Sequence, residues 1–398
     1  MGIIAEFNPL HSGHEYLLSS AKEKGQVVCA ISGNFVQRGD TAIVNKQIRT
    51  IAAILSGADA VVEIPVMWSM STAQNFALGG VSALVAVGCD TIMFGSECGD
   101  ISVLVETAGI LKTADFSLKL EKYLESGVTF AKARQLAAEE CGAEKGILQG
   151  ANNNLAIEYI IAAEKLGANL KFATVKRQGA KHDSKEIDDF VSASLLREKL
   201  LAGDFDFAKK YISEKTLNLF TCDEISDIKR LETAILSVLR LKSIEDLKNL
   251  PDLSEGVENK LYSSIKIATD LEGLYDEIKV KRYTLARIRR LVLSAVLGFN
   301  NEHFLKSPPY VRVLGFNSVG EELIRKAIKN APIPIVMRVS EIEALGEDAK
   351  MVFKAECKAT DLYNLSLKKP QSCGNEYTMK LIKNRFKRGS LYEKRKFN

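Results

Sequence analysis

"GIIAEFNPLHSGHEYLL", residues 2–18, decides the fold. Its first six residues are a short apolar run of the size and type of a buried strand. From His14 onward, "HEYLLSSAKEKG" carries the 3.6-residue apolar period of an amphipathic helix. Between the two lie an Asn-Pro turn, Gly13, and two of the chain's four histidines, His11 and His14. Strand, tight turn and helix form the unit that repeats in doubly wound α/β proteins. The alternation continues through "VVCAIS" (27–32), "AVVEIP" (60–65), "TIMFGS" (91–96) and "LKFATV" (170–175), with helical stretches such as "NKQIRTIAAILSGA" between them. Each run is apolar on both faces, as a strand covered by helices on both sides should be.

The expected fold is therefore α/β: a Rossmann-like, doubly wound parallel five-stranded sheet, complete by about residue 177, followed by a mostly helical C-terminal region. The chain is too long for one simple core, and its texture divides it into 1–204, 205–300 and 301–398. The middle segment reads as helix after helix. The last is mixed, with strands expected at "YVRVLGF" (310–316) and "IPIVMRVS" (333–340) and a helix between them.

Hydrophobic content of 46% and charged content of 26% exclude a disordered or fibrous chain. The net charge of +4 is mild but uneven: residues 376–398 carry +6, leaving −2 on the remainder. A basic tail on a near-neutral body fits a polyanionic partner, or else a solvated tail. The seven cysteines form no CxxC pair, as in a reducing compartment. A strand at Gly2 leaves no room for a leader, and no apolar run reaches the roughly 18 residues needed to span a bilayer. These features point to a cytoplasmic protein without membrane contact.

In a doubly wound sheet the ligand lies beyond the C-terminal strand ends. Residues 8–14 occupy that place. Pro9 stiffens the turn and Gly13 permits close backbone approach. The free N–H groups of the following helix start form an anion site, flanked by His11 and His14 as donors to phosphate oxygens. A structural alternative exists, because Ser12 and Glu15 fit a capping box.

"HSGH" after a first strand resembles the signature of the HIGH nucleotidyltransferase superfamily, whose members bind ATP and cleave between its α- and β-phosphates. Within it, "GIIAEFNPLHSGHEYL" is similar to the bacterial tRNA(Met) cytidine acetate ligases. So are "ISGNFVQRGD" (31–40), "VEIP" (62–65), "FGSE" (94–97), "NNNLAIEYI" (152–160) and "VKRQGAKHD" (175–183), in the same order. Weaker similarity continues through "TLARIRRLVL" (284–293) and "PPYVRVLGFN" (308–317).

The resemblance implies that His11, His14 and Arg177 are catalytic. It places ATP along Ile4, Ala5, Glu6, Phe7, Asn8, Pro9, Leu10, Ser12, Gly13, Glu15, Tyr16 and Leu17, and beside Gly95, Asn152 and Asn153. Ser96 and Glu97 could bond the nucleoside, unless "FGSE" is only a strand-end turn. "SASLLR" (192–197) resembles the superfamily's second signature, although Ala193 and Leu196 depart from it; Ser192, Ser194 and Arg197 would hold the triphosphate, or merely cap a helix. For tRNA the candidates are Arg38, the stretch with Lys281, Arg282, Arg287, Arg289 and Arg290, and Lys387 and Arg388 in the tail. A solvated helix face is the alternative for the stretch 279–290.

The implied reaction has two steps. Acetate attacks the α-phosphate of ATP, with Mg²⁺ escorting the phosphates although no dedicated metal cage is visible. The N4 amine of the wobble cytidine of elongator tRNA(Met) then takes the acetyl group. Two rivals stand beside this expectation: a small-molecule adenylyltransferase of the same superfamily, and a catalytically inactive tRNA-binding protein.

Overall fold

The computed structural model describes residues 1–177, 191–253, 256–279, 283–301 and 305–384. Its strands are β1 (Gly2–Ala5), β2 (Val28–Ser32), β3 (Phe35–Val36), β4 (Asp40–Thr41), β5 (Ala60–Ile64), β6 (Thr91–Ser96), β7 (Lys171–Lys176), β8 (Val311–Asn317), β9 (Ile335–Val336) and β10 (Ile382–Asn384). The main sheet runs β10-β8-β5-β2-β1-β6-β7, with β9 paired to β8, while β3 and β4 form a separate hairpin. The five expected strands β5, β2, β1, β6 and β7 are mutually parallel. From β1 the chain steps to β2 and β5 on one side, then returns to β6 and β7 on the other. The order reverses between β1 and β6, which is where a ligand cleft belongs.

The two-faced apolar runs behave as the period-2 geometry of strands requires. Ile3, Cys29, Ile31, Val61 and Met93 join one layer with Leu18 of the helix Ser12–Lys24 and Ala52 of the helix Lys46–Leu55. Their neighbours Ile4, Ala30, Val62 and Phe94 join the other, with Val81 of the helix Ala73–Ala86 and Ile157 of the helix Ala151–Lys165. β7 differs from expectation: it is an edge strand, exposed at both ends and half-buried between. Phe172 packs toward one layer and Ala173 and Val175 toward the other.

Among the described residues of 205–300 every regular element is helical, from Phe205–Ala208 to Leu285–Leu297. The stretch expected as a separate mixed region instead supplies sheet strands. β8 pairs antiparallel with β5, and β10 lies parallel to β8. Only Ile335–Val336 of the run 333–340 is strand; Val339–Glu343 is helix. All seven cysteines are free thiols. No helix among the described residues is long and apolar enough to cross a membrane.

Candidate active site

β1 ends at Ala5, and the backbone turns sharply at Phe7, whose φ of 48° is rare for a bulky residue. Such conformations cluster where a site imposes them. The Asn8–Pro9 peptide is cis. Asn8 is buried and holds the loop from two sides: its side-chain oxygen accepts the Ile43 N–H at 2.7 Å, and its carbonyl accepts from Arg197 at 2.8 Å.

The helix Ser12–Lys24 begins differently from the capping box that the sequence allowed. His11 is the N-cap, and its Nδ1 accepts the Gly13 N–H at 3.1 Å. Glu15 turns away to accept from the hydroxyls of Ser56 and Ser213, 3.5 Å from the Lys215 ammonium. With Nδ1 accepting, the neutral His11 ring carries its proton on Nε2. The His14 ring packs 4.0 Å from it, centroid to centroid, with Phe7 edge-on to His14 at 5.2 Å. Burial, then the guanidinium groups of Arg177 and Arg197, pull the His11 pKa down to about 3. Burial, then His11 and Arg177, hold His14 well below the usual imidazole range, with the Pro9 carbonyl working against them. Both rings are therefore neutral near pH 7. The buried Nδ1 of His14 has no hydrogen-bond partner among the described residues. Orphans of this kind are uncommon among buried polar groups.

These rings open into a cavity of about 570 Å³. Its apolar lining includes Ile4, Phe76, Phe94, Leu155 and Tyr159, which share one hydrophobic cluster. The histidines, Gly13 and Arg177 line it as well. Arg177 follows β7, donates its N–H to the Ser96 carbonyl at 2.9 Å, and passes its side chain over Gly95, where an added Cβ would stand 3.2 Å from the Arg177 Cγ. Gly95 thus makes room for the arginine. A second helix, Ala193–Leu201, points its start at the cavity, capped by Ser192 at 3.3 Å, with Arg197 donating to the Ser194 hydroxyl at 3.2 Å. The far rim is Gln37, Arg38 and Asp40 of the β3–β4 hairpin, faced by Arg289.

The cavity gathers the expected catalytic residues His11, His14 and Arg177 and most of the expected ATP residues: Ile4, Ala5, Glu6, Phe7, Asn8, Gly13, Tyr16, Leu17, Gly95, Asn152, Ser192, Ser194 and Arg197 line it. Pro9, Leu10, Ser12, Glu15 and Asn153 do not. Asn153 is buried and accepts the Glu97 and Cys98 N–H groups, while Glu97 accepts the N–H groups of Asn152 and Asn153. The pair therefore locks the end of β6 to the start of the helix Ala151–Lys165.

Of the described residues of the basic stretch, Arg289 alone lines the cavity, 3.9 Å from Asp40. Arg287 and Arg290 are braces and not a solvated face. Both pair with Asp252, and Arg290 also donates to the Gln37 carbonyl at 3.1 Å. Gly39, with φ 71°, lets the hairpin touch this helix, since a Cβ there would meet the Arg290 nitrogen at 2.6 Å. Lys281, Arg282, Lys387 and Arg388 lie outside the described residues.

Sequence reading missed Arg49. Buried on the helix Lys46–Leu55, it donates to the carbonyls of Val44, Glu6, Ser32 and Gly33, tying the ends of β1 and β2 together. An arginine on the buried face of an apolar helix was the signal. Phe94 and Tyr159 lay within quoted motifs without being singled out.

A cleft at the strand-order reversal, two neutral histidines at a helix start and an adjoining arginine define a phosphate-handling, nucleotide-binding α/β protein. The chain belongs to the HIGH Nucleotidyl Transferase family, whose model matches residues 1–377. It is 37% identical over 398 residues to a protein of Thermoanaerobacter sp. (strain X514) named tRNA(Met) cytidine acetate ligase, covering 96% of this chain and 99% of that one. A Clostridium acetobutylicum protein of the same name is 36% identical over 391 residues, covering 92% and 96%. Crystal structures of Thermotoga maritima TmcAL resemble it at TM-scores of 0.90 (apo, 30% identical) and 0.87 (bound with alpha-thio ATP, 29% identical), each covering 97% of this chain and 99% of the other.

Proposed function

We propose that this protein is an ATP-dependent tRNA(Met) cytidine acetate ligase, acting in the cytoplasm. One observation carries the reading: a single cavity is lined by the apolar Ile4, Phe76, Phe94 and Tyr159, by His11, His14, Gly13 and Arg177, and by the basic Arg38 and Arg289. A small-molecule adenylyltransferase needs the first two features and not the third.

In the first step an acetate oxygen attacks the α-phosphorus of ATP, the bond to the bridging oxygen breaks, and pyrophosphate leaves. The adenine lies between Ile4, Phe76, Phe94 and Tyr159. Asn152 edges the nucleoside. His11 and His14, with the N–H groups at the helix start and Arg177, meet the charge that grows on the phosphate oxygens. Ser192, Ser194 and Arg197 take the departing phosphates at the second helix start. Mg²⁺ travels with nucleotide phosphates, but among the described residues no group of three or more His, Cys, Asp or Glu could hold a metal ion, so no step is assigned to it. In the second step the N4 amine of the wobble cytidine of elongator tRNA(Met) attacks the acetyl carbon and AMP leaves. A wobble base sits in a single-stranded loop, so presenting it to a cavity costs little pairing energy.

In this reading residues 1–204 carry out the chemistry, and residues 205–300 with the basic C-terminal residues receive the tRNA. The direct test supplies ATP, radiolabelled acetate and bulk tRNA and follows label into nucleoside. Label in N4-acetylcytidine is expected; ATP turnover that ignores acetate but requires a phosphorylated metabolite would favour the adenylyltransferase. Tail capture is tested by removing residues 385–398, a cut that spares β10. Six basic residues go. If about half of them touch phosphates, the slope of log K against log[salt] becomes shallower by about 2. An unchanged slope assigns tRNA capture to the body of the protein.

A further inference from the structure

We infer that Glu6 is the base that takes the proton from the cytidine amine during acetyl transfer. The inference rests on the ligase reading above. In that step the N4–acetyl C–N bond forms, the bond from the acetyl carbon to the AMP oxygen breaks, AMP leaves with that electron pair, and N4 must release one proton. The N4 lone pair is delocalised into the pyrimidine ring, so the amine attacks well only as that proton departs. A base must lie within hydrogen-bond reach, about 2.6–3.2 Å.

The cavity offers few acceptors for it. His11 already spends Nδ1 on the Gly13 N–H, and its other nitrogen is the donor. His14 lies among His11 and Arg177, surroundings that oppose a proton on its ring. Of the two lining carboxylates, Asp40 faces Arg289 at 3.9 Å and accepts the Thr41 N–H. Glu6 makes no ion pair among the described residues. Its Oε1 accepts the Gln37 N–H at 2.8 Å, which fixes the side chain without neutralising it. It stands one residue before the Phe7 turn, between the histidine loop and the hairpin that carries Gln37 and Arg38, and it lines the cavity. A base reaching the cavity from the basic rim would occupy that position. Burial also lifts its carboxyl above the usual range, against the pull of the Gln37 N–H and then Arg197, Arg38 and Arg49, which makes it a better proton acceptor than an exposed glutamate.

Glu6→Gln preserves the volume and the acceptor for the Gln37 N–H. With full-length protein, ATP, acetate and a tRNA(Met) transcript, single-turnover acetyl transfer is expected to fall by roughly 100-fold or more. Acetate-dependent pyrophosphate release without tRNA should fall by a far smaller factor. The rise of transfer rate with pH through the carboxyl titration should vanish in the variant, and Glu6→Asp should recover part of the rate. Equal losses in both steps, or undiminished transfer, overturn the inference and leave the ligase reading standing. Wild-type protein that forms acetyl-adenylate yet never acetylates tRNA overturns both.

Discussion

The molecule keeps two dense groups of charge at the same sheet, and they are built on opposite rules. In the cavity, Arg38, Arg177, Arg197, Arg289 and Lys176 line the wall together with Glu6 and Asp40, the carboxylates among its described lining residues, and the buried Nδ1 of His14 has no partner among the described residues. Behind β5, Lys46, Glu63, Glu356, Glu376 and Arg312 are buried together and match one another. Lys46 lies 2.5 Å from Glu63 and 2.6 Å from Glu376, while Arg312 pairs with Glu376. Burial would lower the Lys46 pKa, but Glu376, Glu63 and Glu356 raise it overall. Burial, then Glu63, pushes the Glu356 carboxyl well up, and it accepts the Val66 N–H and lies 3.8 Å from the Lys46 ammonium. The buried cluster's charges are spent on one another, whereas the cavity lining presents cationic side chains toward whatever occupies it.

Breaking the closed set should have the largest effect. Lys46→Met leaves Glu63 and Glu376 buried beside too few cations, and global stability should fall by about 3–5 kcal/mol in a denaturant titration. A loss under 1 kcal/mol would make the cluster an ornament of the fold.

The open set should respond the other way. His14→Ala should slow acetyl-adenylate formation by roughly 100-fold or more, the scale of one lost transition-state donor, while folded stability holds or rises. Pyrophosphate release measured beside a melting curve checks both. Near-normal turnover would return His14 to a structural role.

Acid should separate the two groups next. The folded pKa of His11 is about 3, below its ordinary 6.5, so the folded protein binds fewer protons there than the unfolded one. That contribution is complete above pH 6.5 and is lost as pH falls toward 3. Glu6 has the opposite sign: its raised carboxyl favours the fold at low pH and the contribution fades as pH rises through its titration. Between pH 7 and pH 5 the His11 contribution is at most about 2 kcal/mol. The loss of stability over that interval should shrink in His11→Asn. An equal decline in both proteins would place the acid sensitivity elsewhere.

The smallest effect belongs to a brace at the hairpin that carries Gln37. Arg290→Ala removes the contacts to Asp252 and the Gln37 carbonyl and should cost about 1–2 kcal/mol. Acetyl transfer to tRNA should suffer more than adenylate formation, because the hairpin carries the rim. Equal losses would detach the hairpin from tRNA handling.

The open site was far more legible in sequence than the closed one. Two-faced apolar runs announce parallel strands, and "HSGH" after the first of them announces an anion site, because both are local patterns with a local cause. β8 was read as a strand, but its pairing with β5 is a contact between residues about 250 apart, which no window reveals. Lys46 looks like an ordinary helix-surface cation until its partner Glu376 is brought in from elsewhere, and the apolar helix that carries Arg49 does not reveal which carbonyls it holds, those at the ends of β1 and β2. Ser12 and Glu15 matched a capping pattern that His11 pre-empted, since an imidazole nitrogen accepts an N–H as a hydroxyl does.

Arg49 carries a warning for anyone mapping loss of function onto this protein. It does not line the cavity, yet its guanidinium clasps the carbonyls of Glu6, Ser32 and Gly33, the ends of two strands that carry the chemistry. A lysine has one nitrogen and cannot span them. In a saturation screen scored by activity, position 49 should be as intolerant as positions 11 and 14, including toward lysine. A silent position in that screen reports distance from the substrate poorly, and a sensitive one reports the substrate's neighbours and their scaffolding alike.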